Sequence, residues 1–180
     1  MTGEHVLMDA EEISFCLERL ALEVRSRRGA DDTPLALVGI RRRGVYLADR
    51  LGRLLHGQLG LDLLPAGVLD INLYRDDWST LGPRAEVGRT ALDFEVNGSS
   101  ILLVDDVLYT GRTTRAAMEA LADYGRPRRL ELLVLVDRGL RELPIQADYI
   151  GLKAETLSDE RVDVHLRELD GEDRVVLRRT

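Results

Sequence analysis

The sequence predicts an α/β fold, a mostly parallel, twisted sheet flanked by helices, with a flexible lid loop and short extra strands towards the C-terminus. Two observations carry that reading. Apolar runs of strand length alternate with segments whose apolar residues recur at helical spacing. The run Ile101-Leu102-Leu103-Val104 also leads straight into Asp105-Asp106 and a small-residue loop opening a helix, the point where parallel strands present functional side chains.

Taken in order, Asp9 and Glu12 form a capping-box pattern, and Ile13, Leu17, Leu20 and Val24 mark one face of a helix ending near Gly29. This first helix reads as peripheral. Leu35 to Ile40 is a short apolar strand closed by Gly39 and a basic run, and Val45, Ala48, Leu51 and Leu55 trace the helix after it. A further strand is expected from Gly67 to Tyr74. Residues 75–92, with Asp76, Asp77, Gly82, Pro83 and Gly88, lack periodicity and read as a long lid loop or flexible β-ribbon. The strand ending at Asp106 is followed by a helix with apolar Ala117, Met118, Leu121 and Tyr124. Gly125 and Pro127 then separate it from a strand over Leu130 to Val136 and the turn Asp137-Arg138-Gly139. Tyr149-Ile150-Gly151, the alternation Val162, Val164, Leu166, and Val175 to Leu177 supply the extra strands.

Composition bounds the function. A chain of 180 residues, 44% hydrophobic, is expected to form one domain, 1–180, with a core that needs no disulfide or structural metal. Cys16 is the only cysteine, which suits a reducing cytosol, and the N-terminus lacks the regions of a signal peptide. The longest apolar run, Leu132 to Val136, is far too short for a bilayer, so a soluble cytoplasmic protein is expected. A net charge of −7 argues against broad, non-specific nucleic-acid binding. Arginines still group at 25, 27 and 28, at 41 to 43, and at 126, 128 and 129, the last group reading as solvated surface.

The chemistry concentrates around Asp105 and Asp106. Adjacent acids at a strand end are costly if merely buried. Thr110, Gly111, Arg112, Thr113 and Thr114 follow with hydroxyls, a guanidinium and helix-N-terminal amides, a good seat for a phosphate. Taken alone, the acids and glycine turn could equally cap a loop. Neither G-x-x-x-x-G-K-[ST] nor G-x-G-x-x-G occurs in the chain.

The whole segment from Ile101 to Thr113 resembles the phosphoribosyl-diphosphate (PRPP) motif of type I phosphoribosyltransferases. Three further stretches, Gly39 to Ala48, Asp70 to Asp77 and Val136 to Ile145, together with Ala147 to Gly151, resemble one branch of these enzymes, the PyrR family. Its members are uracil phosphoribosyltransferases that in many bacteria also bind leader RNA of pyrimidine operons. The resemblance implies the type I phosphoribosyltransferase fold and the reaction of uracil with PRPP, with Mg²⁺, to UMP and pyrophosphate. It implies that Asp105 and Asp106 hold the ribose hydroxyls. The surrounding PRPP segment, Val104, Val107, Leu108, Tyr109, Thr110, Gly111, Arg112 and Thr113, would cradle the 5′-phosphate through its last five residues. Arg41, Arg42, Arg43 and Gly44 would form the pyrophosphate loop, with Arg75 a second cation for pyrophosphate and a catalytic candidate, and Asp76 and Asp77 ordering the lid or assisting Mg²⁺. Val136, Asp137, Arg138 and Gly139 would take uracil. Asp137 and Arg138 could also simply be a turn-stabilising ion pair. Tyr109 stands where purine-salvage relatives carry an aspartate, which disfavours a purine substrate. The ion would be held mainly by substrate oxygens with Asp105 and Asp106, and no histidine is needed, His5, His56 and His165 falling outside all motifs.

The regulatory surface departs from the family. Leu22, Leu140, Gln146 and Leu152 occupy positions where RNA-binding members carry cations or donors, and Glu18 replaces a small hydroxyl residue. RNA affinity is therefore expected to be weaker by orders of magnitude. Arg19, Arg27, Arg141 and Lys153 remain as RNA-binding candidates, while the three leucines could instead mark a subunit contact. The family implies a homodimer or larger homo-oligomer. The alternative function is a UMP- or PRPP-sensing RNA regulator with little catalysis; a transferase for another pyrimidine is a third.

Overall fold

β5 (Ser100–Leu108) runs through the middle of the main sheet in the computed structural model, which describes residues 3–28, 33–74 and 89–179. Its neighbours are β2 (Leu35–Ile40) and β6 (Arg129–Asp137), both parallel to it. Beyond them lie β3 (Ala66–Leu69) and β7 (Tyr149–Lys153), also parallel, and the antiparallel edge strand β4 (Ala91–Leu92), giving the order β4-β3-β2-β5-β6-β7. The alternation of side chains divides β5 between two cores. Leu102 and Val104 face α1 (Ala10–Arg28) and α2 (Arg43–Gly57), whereas Ile101 and Leu103 face α3 (Arg112–Ala122). Helices therefore cover both faces, as a buried parallel sheet requires.

The extra strands form a sheet of their own. β1 (Glu4–Met8), β9 (Arg174–Arg179) and β8 (Glu160–His165) pair antiparallel in the order β1-β9-β8, with the single turn α4 (Arg167–Asp170) between β8 and β9. Val162, Val164, Leu166 and Val175 join the core beneath α1 and α2, so the small sheet covers that side of the molecule. Among the described residues no helix is long and apolar enough to cross a membrane.

Several elements differ from the sequence reading. α1 is not peripheral: it buries Ile13, Cys16, Leu17, Leu20, Ala21 and Val24, and a Cβ on Gly151 of β7 would lie 2.7 Å from Cys16 Sγ. The Asp9–Glu12 box does start it, each backbone N–H donating to the other's carboxylate at 2.8 and 2.9 Å. The strand expected over 67–74 stops at Leu69, because the Asp70 carboxylate accepts the Asn72 N–H at 2.9 Å and turns the chain into a 3₁₀ helix, Asn72–Tyr74. α3 ends at Ala122, with Met118 and Tyr124 exposed, and it is Thr114, Ala116, Ala117, Ala120 and Leu121 that pack. β1 had no signal of its own. Gly29 and most of the expected lid, residues 75–88, lie outside the described residues, and Ala91–Leu92 within that stretch is a strand.

Candidate active site

At the C-terminal edge of the main sheet two helices begin, one on each face, and neither has a side-chain bond from its N-cap residue. α2 starts from Arg42 and α3 from Gly111, whose φ of +93° is one that favours glycine. The Arg112 N–H that opens α3 donates to Thr110 Oγ1 at 3.3 Å, a long bond, and the first turn of a helix is where an anion finds further N–H groups. What brings α2 so close is Gly44: a Cβ there would lie 2.2 Å from the Val104 carbonyl oxygen and 3.2 Å from Asp105 Cα. The arginine loop is thereby set directly beside the acid pair. Arg41 and Arg42 are exposed; a guanidinium nitrogen of Arg41 is 3.4 Å from the Arg89 carbonyl, and the Arg41–Arg42 peptide is cis. Arg43 behaves differently, donating to both carboxylate oxygens of Asp170 at 3.1 Å.

Asp105 and Asp106 each use one oxygen to accept the next residue's backbone N–H, at 2.9 Å. Asp105 is buried and Asp106 half-buried. Burial, reinforced by repulsion from Asp106, pushes the Asp105 carboxyl well above its ordinary pKa. After them the loop 109–111 is held from the side. The Thr110 carbonyl accepts the N–H groups of Glu142 and Leu143 at 3.0 and 3.1 Å, while Arg112 pairs with Glu142 at 2.7 Å. The Arg138 guanidinium lies 3.9 Å over the Tyr109 ring.

The turn after β6 is close enough to share these contacts. Arg138 is 6% exposed and donates to Thr156 Oγ1 and to the carbonyls of Leu157 and Glu160. The ion pair within the turn is accordingly not Asp137–Arg138: Asp137 pairs with Arg141 at 2.6 Å, four residues on. Its Oδ1 also accepts the Gly139 N–H, fixing a turn in which Gly139 and Leu140 have φ of +70° and +55°. Val104, Asp105, Asp106, Val107, Leu108, Tyr109, Thr110, Gly111, Arg112 and Thr113 thus form one continuous strand-to-helix edge, with Arg41 to Gly44 on one side and Val136 to Gly139 on the other. Arg75, Asp76 and Asp77 lie outside the described residues.

Comparison with known proteins adds to this geometry. The phosphoribosyl transferase domain model matches residues 7–167. A Bifunctional protein PyrR of Syntrophobacter fumaroxidans is 51% identical over 97% of this chain and 93% of its own. That of Thermus aquaticus is 52% identical over 95% and 93%. This chain belongs to the PyrR family. Solved hypoxanthine phosphoribosyltransferases share its fold: that of Staphylococcus aureus has a TM-score of 0.67 at 24% identity, covering 95% of this chain and 90% of its own, and one from Trypanosoma cruzi has 0.69 at 21%, covering 97% of both.

In this PyrR-family chain, three of the four arginines and lysines singled out for RNA are engaged internally. Arg19 donates to the carbonyls of Ile150 and Gly151 at 3.1 and 2.7 Å, and Arg27 donates to the Asp148 carbonyl while lying 4.7 Å from the Tyr149 ring centroid. Arg141 serves the Asp137 turn. Lys153 is exposed, as are Leu22 and Leu140, and Leu152 is half-buried. The contacts of Arg141, Glu142 and Thr156 with the site were missed from sequence. Only the Asp137–Arg141 spacing offered a hint, and no helix was expected there to make i,i+4 meaningful.

Proposed function

We propose that this chain transfers the phosphoribosyl group of PRPP to uracil, forming UMP and pyrophosphate. The observation that carries the proposal is the convergence, on a PyrR-family chain, of the acid pair, the start of α3 and the arginine loop at one sheet edge. The C1′–N1 bond forms as the bond from C1′ to the pyrophosphate oxygen breaks, and the base's N1 proton passes to solvent. An oxocarbenium-like transition state of this kind is served by orientation and charge rather than by a covalent nucleophile.

In this reading Asp105 and Asp106 accept hydrogen bonds from the ribose 2′- and 3′-hydroxyls. Residues 109–113 surround the 5′-phosphate with amides and hydroxyls. Arg41 and Arg42, with the amides opening α2, receive the departing pyrophosphate, assisted by Arg75. Arg43, bound to Asp170, steadies the loop. Uracil lies against Val136 to Gly139, where backbone groups of the fixed turn can read its edge. The donors suit a hard cation: Asp105 and Asp106 offer carboxylate oxygens, and the described residues hold no group of three or more His, Cys, Asp or Glu that could form a complete protein cage. Mg²⁺ bound with PRPP would neutralise pyrophosphate charge. Cytoplasmic residence and a homo-oligomer are part of the same proposal, the latter checked by sedimentation.

The test is production of UMP and pyrophosphate from uracil, PRPP and Mg²⁺, beside hypoxanthine, guanine and orotate, repeated with Asp105→Asn/Asp106→Asn. Uracil-specific turnover that falls by about 100-fold or more in the double variant is expected. Absence of turnover with every base would move the assignment to a nucleotide-sensing regulator. That second reading is favoured by the relatives' name, which is bifunctional, and by exposed Lys153. Because Arg19, Arg27 and Arg141 spend donors on the protein's own carbonyls and carboxylates, few phosphate contacts are left, and leader RNA is expected to bind weakly and with a shallow salt dependence. A tight, UMP-enhanced gel shift at 150 mM salt, roughly physiological ionic strength, would contradict this expectation.

A further inference from the structure

We infer that Arg141 is a positioning residue that couples the turn proposed for uracil to the loop proposed for the 5′-phosphate, so that occupancy of one orders the other. The inference rests on the function proposed above and adds a communication between its two half-sites. Arg141 has a side chain only 21% exposed, and its guanidinium reaches four partners at once. Nε donates to the Ile145 carbonyl at 3.0 Å. One terminal nitrogen donates to the Tyr109 carbonyl at 2.8 Å and the Gly139 carbonyl at 3.0 Å, and the other meets Asp137 Oδ2 at 2.6 Å.

Tyr109 belongs to the phosphate loop, and Asp137 and Gly139 belong to the base turn. A planar, always-charged fork holding both is a rigid strut between them, and no other side chain type supplies that geometry. Two further contacts run in parallel. Arg138 stacks on the Tyr109 ring, and the Glu142 and Leu143 amides are bound by Thr110. Leu140 sits between the two arginines with φ of +55°, a conformation uncommon for a leucine, so the turn depends on these bonds for its shape. A loop that closes its amides on a phosphate would thereby draw the Tyr109 and Thr110 carbonyls, and with them the turn, into one arrangement.

Such coupling is reciprocal and measurable. Ribose 5-phosphate is expected to tighten uracil binding to the wild-type protein by a factor in the range of about 5–150, the usual span of linked sites. In Arg141→Gln that factor should fall towards one, and Arg141→Lys, which retains only the ion pair with Asp137, should restore it in part. Arg50→Gln, which removes a comparable set of internal bonds and touches neither half-site, should lower the melting temperature but leave the factor unchanged. An unchanged factor in a folded Arg141→Gln, or an equal loss in Arg50→Gln, overturns the inference.

Should Arg141→Gln fail to fold, the wild-type protein still decides. Ribose 5-phosphate alone should slow amide hydrogen exchange at Gly139, Glu142 and Leu143, and an unaffected 137–145 segment would overturn the coupling. Wild-type turnover of uracil separates the two levels. Turnover with no coupling defeats the strut alone, whereas no turnover with any base defeats the proposed function and the strut with it.

Discussion

Asp105 is only 6% exposed and stands beside a second carboxylate; burial first, and then repulsion from Asp106, raises its pKa well above the ordinary 3.8. The folded protein thus holds the Asp105 proton more tightly than the unfolded chain. Its contribution to stability is full below about pH 3.8 and is lost as pH rises through the elevated value. Above about pH 3.8 the buried carboxyl therefore works against folding, as expected if it is kept for the proposed binding role. Asp105→Asn should raise the melting temperature at pH 7 by about 2–4 °C, the shift that about 1 kcal/mol gives in a chain of this size, while cutting turnover. A melting scan at pH 7 and at pH 4 checks it, since the gain should shrink at the lower pH. Gly44 is the other residue whose role is sharply defined. A Cβ 2.2 Å from the Val104 carbonyl cannot be accommodated without moving backbone, so Gly44→Ala should cost about 1–3 kcal/mol and displace the arginine loop. Raised KM for PRPP together with a lower denaturation midpoint is the expected result. At this scale the sequence carried the acids and the glycine loop plainly, because their chemistry is local. It did not carry the Asp137–Arg141 pair or the Arg138–Tyr109 stack, which depend on how two loops meet.

Among the elements, legibility followed burial pattern. β2, β5 and β6 are continuous apolar runs in the sequence and strands in the structure, and the helix after each of the first two has a strong apolar stripe. β5 runs two residues past Asp106, to Leu108, pairing Val107 and Leu108 with Val136 and Asp137. The acids therefore sit among the last residues of a paired strand rather than in a loop, between Val104 and Val107, whose positions the ladder fixes. β3 was overextended because Ile71, Leu73 and Tyr74 continue an apolar pattern, while the Asp70 turn that ends the strand is made by a single side-chain bond. β1 could not be found from its own residues: Val6 is exposed, and the strand exists because β9 offers an antiparallel edge. α1 was taken as peripheral, yet its apolar face is fully packed and two arginines from its exposed side bind β7 carbonyls or the residue just before them. Arginines read as RNA ligands were thus recruited to fasten a helix, an outcome sequence spacing does not distinguish from a solvated cationic face.

Seen as a whole, the molecule joins its small antiparallel sheet to the side that carries the candidate site through charge as well as core packing. Arg50 of α2 meets Glu168 at 2.6 Å and Asp173 at 2.7 Å, and Arg43 meets Asp170, so three acids of the β8–β9 connection hold the helix that carries the arginine loop. The Arg50 hydrogen bond holds Glu168 below its ordinary pKa. For Asp173, burial acts upward but the Arg50 hydrogen bond and neighbouring backbone bring the net shift down. Their folded values are depressed, so the stability they contribute is present above the unfolded values of 4.5 and 3.8 and is lost as pH falls through the lowered ones. This dependence is opposite in sign to that of Asp105. Arg50→Ala should cost about 1–2 kcal/mol at pH 7, a modest figure because the pair is partly solvated. The difference from wild type should shrink as both proteins are melted at successively lower pH below about 4.5. Limited proteolysis at pH 7 should then cut the 160–179 segment of the variant sooner than that of the wild type. A difference in melting temperature that stays constant from pH 7 to pH 3 would mean that Arg50 acts by packing its stem and not by its charge. In that case the small sheet is held to α2 by the Val162, Val164 and Val175 core alone.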